Sequence, residues 1–169
     1  MVGQAPGVNG ANRTGRPFTR DVAGRLLYAT LLKTGFASGV YAEHADDGFT
    51  LHDCRVTNAV RCAPPQHKLE TAETHNCRPF LADEIAAMPN LRMFLAIGGE
   101  PHDAILRVLG LKPSAWKFAH GAVHDLPGGQ KLADSFHTSQ YNVNTRRLTP
   151  EMFEQVVIEI RDILASSRA

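Results

Sequence analysis

Among the eight histidines of this 169-residue chain, His137 is the one placed to act on a reacting group. It follows residues 131–136, which read as a strand, and an imidazole N–H held at a strand end can be aimed at an oxygen that gains negative charge. Loss of one such donor typically costs about 2.7–4 kcal/mol of transition-state stabilisation. Asn58 ends a second strand pattern within residues 55–60. Its carboxamide holds a donor and an acceptor, so it can read a planar edge offering one of each, or it can cap the strand end. A third stretch, residues 3–21, gathers four glycines, two prolines and three arginines, Arg13, Arg16 and Arg20. Glycine permits close approach, proline stiffens the path, and the cations sit beside a helix start, the outline of a phosphate-contacting loop. On composition alone an ordinary surface loop with incidental arginines fits as well. Within this loop Phe18 is either a stacking platform or a core anchor.

Positioning these groups takes strands with helices between them. Leu26, Leu27, Leu31 and Leu32 recur at helical spacing after Asp21, a possible N-cap, and before Gly35, a C-terminal stop. Residues 36–50 read as loop, with Asp46-Asp47-Gly48 a turn signal. A helical region covers residues 71–88, which Pro79 kinks or divides. Residues 91–97 form a clear strand that runs into Gly98-Gly99 and a helix over 102–109, whereas residues 110–130 read as irregular. The last helix has Thr149 as N-cap and Pro150 first, with Met152, Phe153, Val156, Val157, Ile160, Ile163 and Leu164 on one face.

Alternating strands and helices predict a three-layer α/β/α sandwich with a central parallel four-stranded sheet. Ligands of such sheets bind at the carboxyl ends of the strands. Residues 3–7, 58–65 and 137–142 each follow a strand and are expected to meet at one site. Only Met1 and Val2 precede the first glycine, where a buried strand of about five or six residues is expected. The first strand therefore reads as truncated, and the chain as a single domain over residues 1–169 lacking its N-terminal segment.

A formal charge of +1 gives no global field that draws in nucleic acid, so any such contact falls to local patches. Arginines do cluster, in the opening loop and at Arg146 and Arg147. No apolar stretch is long enough to span a membrane and no signal-peptide pattern is present, so the expectation is a soluble, cytoplasmic protein. Three cysteines without secretory context argue against a disulfide framework.

The order of GQAPG at 3–7, NRTGRPFTRD at 12–21, VTNAVRCAPP at 56–65, CRPFL at 77–81 and HTSQYN with NTRRLTPEM at 137–152 resembles the uracil-DNA glycosylase superfamily. The closest likeness is to its family 5, or type B, enzymes, and it covers nearly the whole chain. That resemblance implies a DNA repair enzyme that flips uracil, and other deaminated bases, out of single- or double-stranded DNA and hydrolyses the N-glycosidic bond, acting as a monomer. His137 then stabilises charge on uracil O2, and Asn58 matches the O4 and N3–H edge. Phe18 stacks on the base, an interaction worth about 1–3 kcal/mol, and Gln4 contributes hydrogen bonds. Ala5 stands where some members carry a water-activating aspartate, which points to a dissociative mechanism. Asp21 positions water or caps its helix. Arg13, Arg16, Arg146 and Arg147 contact the DNA backbone. Leu148 enters the minor groove as a wedge, or staples the following helix. Thr138 stands where the family usually has proline.

Cys62 and Cys77, separated by fourteen residues, match the second half of the four-cysteine pattern that holds a [4Fe–4S] cluster in the family. Such a cluster takes four thiolates, and Cys54 is not at a ligand position, so the first pair is expected upstream of Gly3 or the cluster is lost. Alternatives are a zinc site completed by His67 or His75, and two buried structural cysteines. His67 stands where the family usually has asparagine; a related group bonds a loop histidine to the abasic sugar, but the neighbouring residues do not match that group. No lysine falls in the three cleft segments, which implies no lyase step. The competing readings are a DNA-binding or damage-sensing relative that has lost catalysis, and an incomplete fragment.

Overall fold

In the computed structural model residues 1–8, 10–65 and 69–166 are described, and the chain forms two compact units. The first unit comprises Met1–Pro6 and Thr57–Ser135. Among its described residues a five-stranded sheet has the order β4 (Thr57–Asn58), β1 (Val2–Gly3), β5 (Met93–Ile97), β7 (Lys131–Ser135), β6 (Val123–Asp125). The first four are parallel and β6 runs antiparallel to β7. The α/β class and the parallel four-stranded core are those expected from the sequence. β6 is an addition, lying in the stretch read as irregular. Its position is set by the tight turn before β7, where Gly129 N donates to Leu126 O and Leu126 N to Gln130 O.

The apolar run of β5 buries Phe94 and Ala96, and β7 buries Leu132, against Ile105 and Leu106 of α4 (Gly99–Val108). α3 (Thr71–Ala86) packs on α4 and continues through Pro79 without a break. Pro79 is exposed, so water can satisfy the helix carbonyl that its missing N–H leaves behind. The parallel strands bring their carboxyl ends to one edge of the sheet. There Ala59 N donates to Gly3 O at 2.8 Å, Val60 N to Gln4 O at 2.9 Å and Gly98 N to Ser135 O at 2.8 Å.

The second unit comprises Gly7–Val56 and Phe136–Ala169. It contains α1 (Ala11–Thr14), α2 (Val22–Thr34), α5 (Gln140–Asn144) and α6 (Pro150–Ser166). The capping signals act as read: the Asp21 side chain accepts from Ala23 N, Gly35 adopts φ 84°, and Thr149 Oγ1 accepts from Met152 N. α2 lies along α6, and Leu27, Leu31, Phe153 and Val157 are fully buried. Residues 36–50 are more than loop, because β2 (Ala37–Ser38) pairs antiparallel with β3 (Thr50–Leu51).

Between β2 and β3 lies Asp47, which holds Arg16. The guanidinium makes two bonds to the carboxylate, Nη1 to Oδ1 at 2.9 Å and Nη2 to Oδ2 at 2.7 Å, while its Nε donates to Thr19 Oγ1 at 2.8 Å. It also lies 5.2–5.5 Å from the ring centroids of Tyr28, Tyr41 and Phe49. The Asp47 side chain is wholly buried and accepts from Ala42 N and Phe49 N as well. The loop between α1 and α2 is thereby fixed. Tyr28 Oη donates to Pro17 O, and the Phe18 carbonyl lies against Gly24 so closely that a Cβ there would sit 1.8 Å from its oxygen. Phe18 and Arg20 adopt φ of 59° and 60°, which costs on the order of 1–3 kcal/mol each and persists only where the surroundings dictate it.

Two outcomes are expected. Gly24→Ala, which adds helix propensity, should nevertheless lower stability to chemical denaturation by about 1–3 kcal/mol because the Phe18 backbone must move; a gain in stability would contradict the close approach. The Arg16 guanidinium holds the Asp47 carboxyl well below the usual carboxylate range, with the Ala42 and Phe49 N–H groups adding to the effect. Stability from this group is therefore present above the unfolded-chain value of about 3.9 and lost as pH falls towards the depressed one. The stability gap between wild type and Asp47→Asn should be widest near neutrality and narrow in acid, as followed by thermal melts; a gap independent of pH would contradict it.

Candidate functional site

Within the second unit the anchored loop presents Phe18 to His137. The two rings stack with centroids 6.1 Å apart and an interplanar angle of 29°. Phe18 is 7% exposed, so it serves at once as anchor and as ring wall. His137 follows β7 by two residues and is half-buried. Burial pushes its imidazole below the ordinary value, and the charge of Asp21 opposes that shift. At neutral pH the ring is therefore uncharged, with one N–H donor and one lone pair.

The backbone at His137 is held from the far side of its own loop. Asn142 Nδ2 donates to His137 O at 2.8 Å, and Asn142 N donates to Ser139 Oγ, which caps α5. Asn142 had no assigned role in the sequence reading; its position closing HTSQYN was the available signal. Thr138, in the place of the family's proline, is fully buried and its Oγ1 has no hydrogen-bond partner among the described residues. A buried hydroxyl in that state costs about 1–3 kcal/mol. Asp21 both caps α2 and directs its charge at the His137 ring.

In the first unit Asn58 is buried at the end of β4, in register with Gly3 of β1. Gln4 and Ala5 follow directly and are half-buried. Asn58 and the Gln4-Ala5 segment thus share the carboxyl edge of the sheet.

Two sequence expectations are corrected here. Arg16 is not a surface cation for phosphate, since Asp47, Thr19 and three aromatic rings enclose it and its side chain is 18% exposed. Of the two readings of Leu148 the exposed wedge is the one overturned: the residue is 0% exposed and its N–H donates to Asn142 O, which fits the alternative of a core residue before the start of α6. The exposed aromatic residue of that region is Tyr141, at 72%. Arg13, Arg146 and Arg147 are exposed, with Arg147 lying 4.5 Å from the Phe136 ring centroid.

Cys62 is exposed, whereas Cys77 is buried and its Sγ accepts from Arg61 N. Cys54 is also a free thiol, half-buried and directed at Phe36 O. These three residues do not make the four-thiolate set that a [4Fe–4S] cluster takes. His67 lies outside the described residues. Among the described residues no helix is long and apolar enough to cross a membrane.

A family model described as the uracil DNA glycosylase superfamily matches residues 1–161. The chain is 42% identical over 161 residues to a type-5 uracil-DNA glycosylase of Thermus thermophilus, covering 95% of this chain and 73% of that one. It is 38% identical over 168 residues to a type-5 uracil-DNA glycosylase of Mycobacterium bovis, covering 96% of this chain but 62% of the relative. A type-4 uracil-DNA glycosylase of Pyrobaculum aerophilum is 30% identical over 111 residues, 65% of this chain and 48% of that one. With a family match running through almost the entire sequence and type-5 relatives along more than nine-tenths of it, the chain belongs to the uracil-DNA glycosylase superfamily.

Proposed function

We propose that this protein excises uracil from DNA by hydrolysing the N-glycosidic bond, as a monofunctional glycosylase of base excision repair, with residues 1–169 acting as one domain inside the cell. The observation that carries this reading is the Phe18 ring stacked on an uncharged His137 imidazole, on backbone held by buried contacts. Membership of the superfamily and the type-5 relatives support the choice of base.

The reaction breaks the bond between sugar C1′ and uracil N1, and the electron pair leaves with the base as an anion. The His137 N–H faces the oxygen on which that charge collects, O2, and the resulting oxocarbenium-like sugar takes up water. No acid stands at Ala5, so water addition follows bond cleavage instead of driving it. Asp21, whose negative charge already faces His137, favours positive charge developing nearby. Asn58, with Gln4 beside it, reads the O4 and N3–H edge and rejects cytosine, whose edge reverses the pattern; a site left with unpaired polar groups discriminates strongly. Arg13, Arg146 and Arg147 meet phosphates. Tyr141, exposed on α5, is the group of its loop available to enter the opened stack in place of Leu148. Flipping the nucleotide costs a few kcal/mol, which these contacts offset. No step passes through a [4Fe–4S] cluster.

A uracil-containing oligonucleotide should therefore be cut after alkali treatment, in proportion to enzyme and time. His137→Ala should slow excision by about 10²–10³-fold, the loss of one aimed donor, with DNA affinity little changed. The rate profile should show no inflection at the ordinary imidazole value of about 6.5, because burial moves the His137 titration below it. DNA binding without alkali-labile sites would instead favour a relative that has lost catalysis.

A further inference from the structure

The first unit holds a cluster of ligand atoms that excision does not use. His102 of α4, His124 of β6 and Asp134 of β7 each offer a ring nitrogen or a carboxylate oxygen, all within 4.8 Å of one another. His102 and Asp134 are 1% and 0% exposed, and the His124 side chain is 16% accessible. Hydrogen bonding settles which atoms point inward. His102 Nε2 lies 2.8 Å from the Trp116 carbonyl oxygen, which only accepts, so Nε2 carries a proton. In a neutral ring Nδ1 then has a lone pair, and it lies 2.7 Å from Asp134 Oδ1, another acceptor. The second carboxylate oxygen takes the Ala119 N–H at 3.3 Å and lies 3.1 Å from His124 Nε2.

Acceptors held this close need a positive centre between them. A proton on His102 Nδ1 and one on His124 Nε2 each serve a single contact with Asp134, whereas a metal ion serves all three groups together. A backbone carbonyl on the outer nitrogen of a histidine is also the usual partner that orients a metal-binding ring. We propose that His102 Nδ1, His124 Nε2 and an Asp134 oxygen bind one late first-row divalent ion, best matched by zinc(II), with water in the fourth position on the side where His124 reaches solvent. Two imidazoles and a carboxylate are a ligand set of that class. Bonds of about 2.0–2.2 Å in a tetrahedral array place ligand atoms roughly 3.4 Å apart; the two imidazole nitrogens contact different Asp134 oxygens, at 2.7 Å and 3.1 Å, and the three ligand atoms lie within 4.8 Å of one another, so an ion held by one of those oxygens draws the imidazoles onto it. The ion fastens α4 to β6 and β7.

The test is titration of the full chain, first stripped by a chelator, with cobalt(II) and then zinc(II). One equivalent of cobalt should give the visible bands of a low-coordinate nitrogen–oxygen site without thiolate charge-transfer absorption. Zinc should displace it and raise the melting temperature. His124→Gln and, separately, Asp134→Asn should weaken binding by at least about tenfold. If either variant fails to fold, the stoichiometry and spectrum of the wild-type chain decide. Absence of saturable binding overturns the proposal and leaves a proton-bridged His102–Asp134 pair. Thiolate bands lost in Cys62→Ser, or binding that His124→Gln and Asp134→Asn both retain, overturn it too.

Discussion

One interior ion pair, Arg16 with Asp47, sets the shape of the second unit. A guanidinium fork matches a carboxylate in two parallel bonds and tolerates aromatic faces better than an ammonium does, so arginine can be enclosed by Tyr28, Tyr41 and Phe49 where lysine cannot. The third nitrogen of the fork reaches Thr19, a buried residue between the two positions of positive φ. From the other side Tyr28 takes the Pro17 carbonyl and Gly24 admits the Phe18 carbonyl. An unfavourable backbone conformation is thus imposed by several independent contacts, as expected where a side chain has to be presented in one orientation.

The residue presented is Phe18, and its neighbour is His137. The excision proposed above uses no strong base and works by holding donors where charge develops, so its energy resides in orientation prepared beforehand. The Asn142 bond to the His137 carbonyl and the burial that keeps the imidazole uncharged both serve that end. In the other unit, parallel pairing of β1 and β4 places Asn58 beside the Gln4-Ala5 turn by the same logic, with main-chain hydrogen bonds fixing a side chain at a strand end.

What the sequence disclosed follows the range of the forces involved. Caps and stops act within a few residues, so α2 and α6 were legible at both Asp21 and Gly35 and at Thr149. β5 was legible because a strand buried in a parallel sheet is a continuous apolar run, as Met93–Ile97 is. β2, β3 and β6 have two or three residues each and exist through their partners rather than through their own composition. His137 was singled out by its place after a strand and Phe18 by the glycine-rich loop that holds it, but the contact between their rings was not legible. Arg16 was misread, and of the two readings of Leu148 the wedge failed while the helix staple fits, because residue type does not state direction: the partner of Arg16 lies 31 positions away, and Leu148 points into the core. Asp47 was seen as part of a turn, which it is, but a turn signal does not reveal the cation that the turn encloses.

The central claim is that an enclosed Arg16 positions Phe18 for excision and does not itself bind DNA. It is tested most directly by Arg16→Lys, measured both as the single-turnover rate of uracil release at saturating enzyme and as the dependence of DNA affinity on salt. An ammonium cannot reproduce the fork, so the account predicts a slower rate with the salt dependence of wild type. Alanine in its place, Arg16→Ala, should likewise leave the salt slope intact. An unchanged rate, together with a salt slope reduced by about one in Arg16→Ala, the mark of a lost phosphate contact, would contradict it.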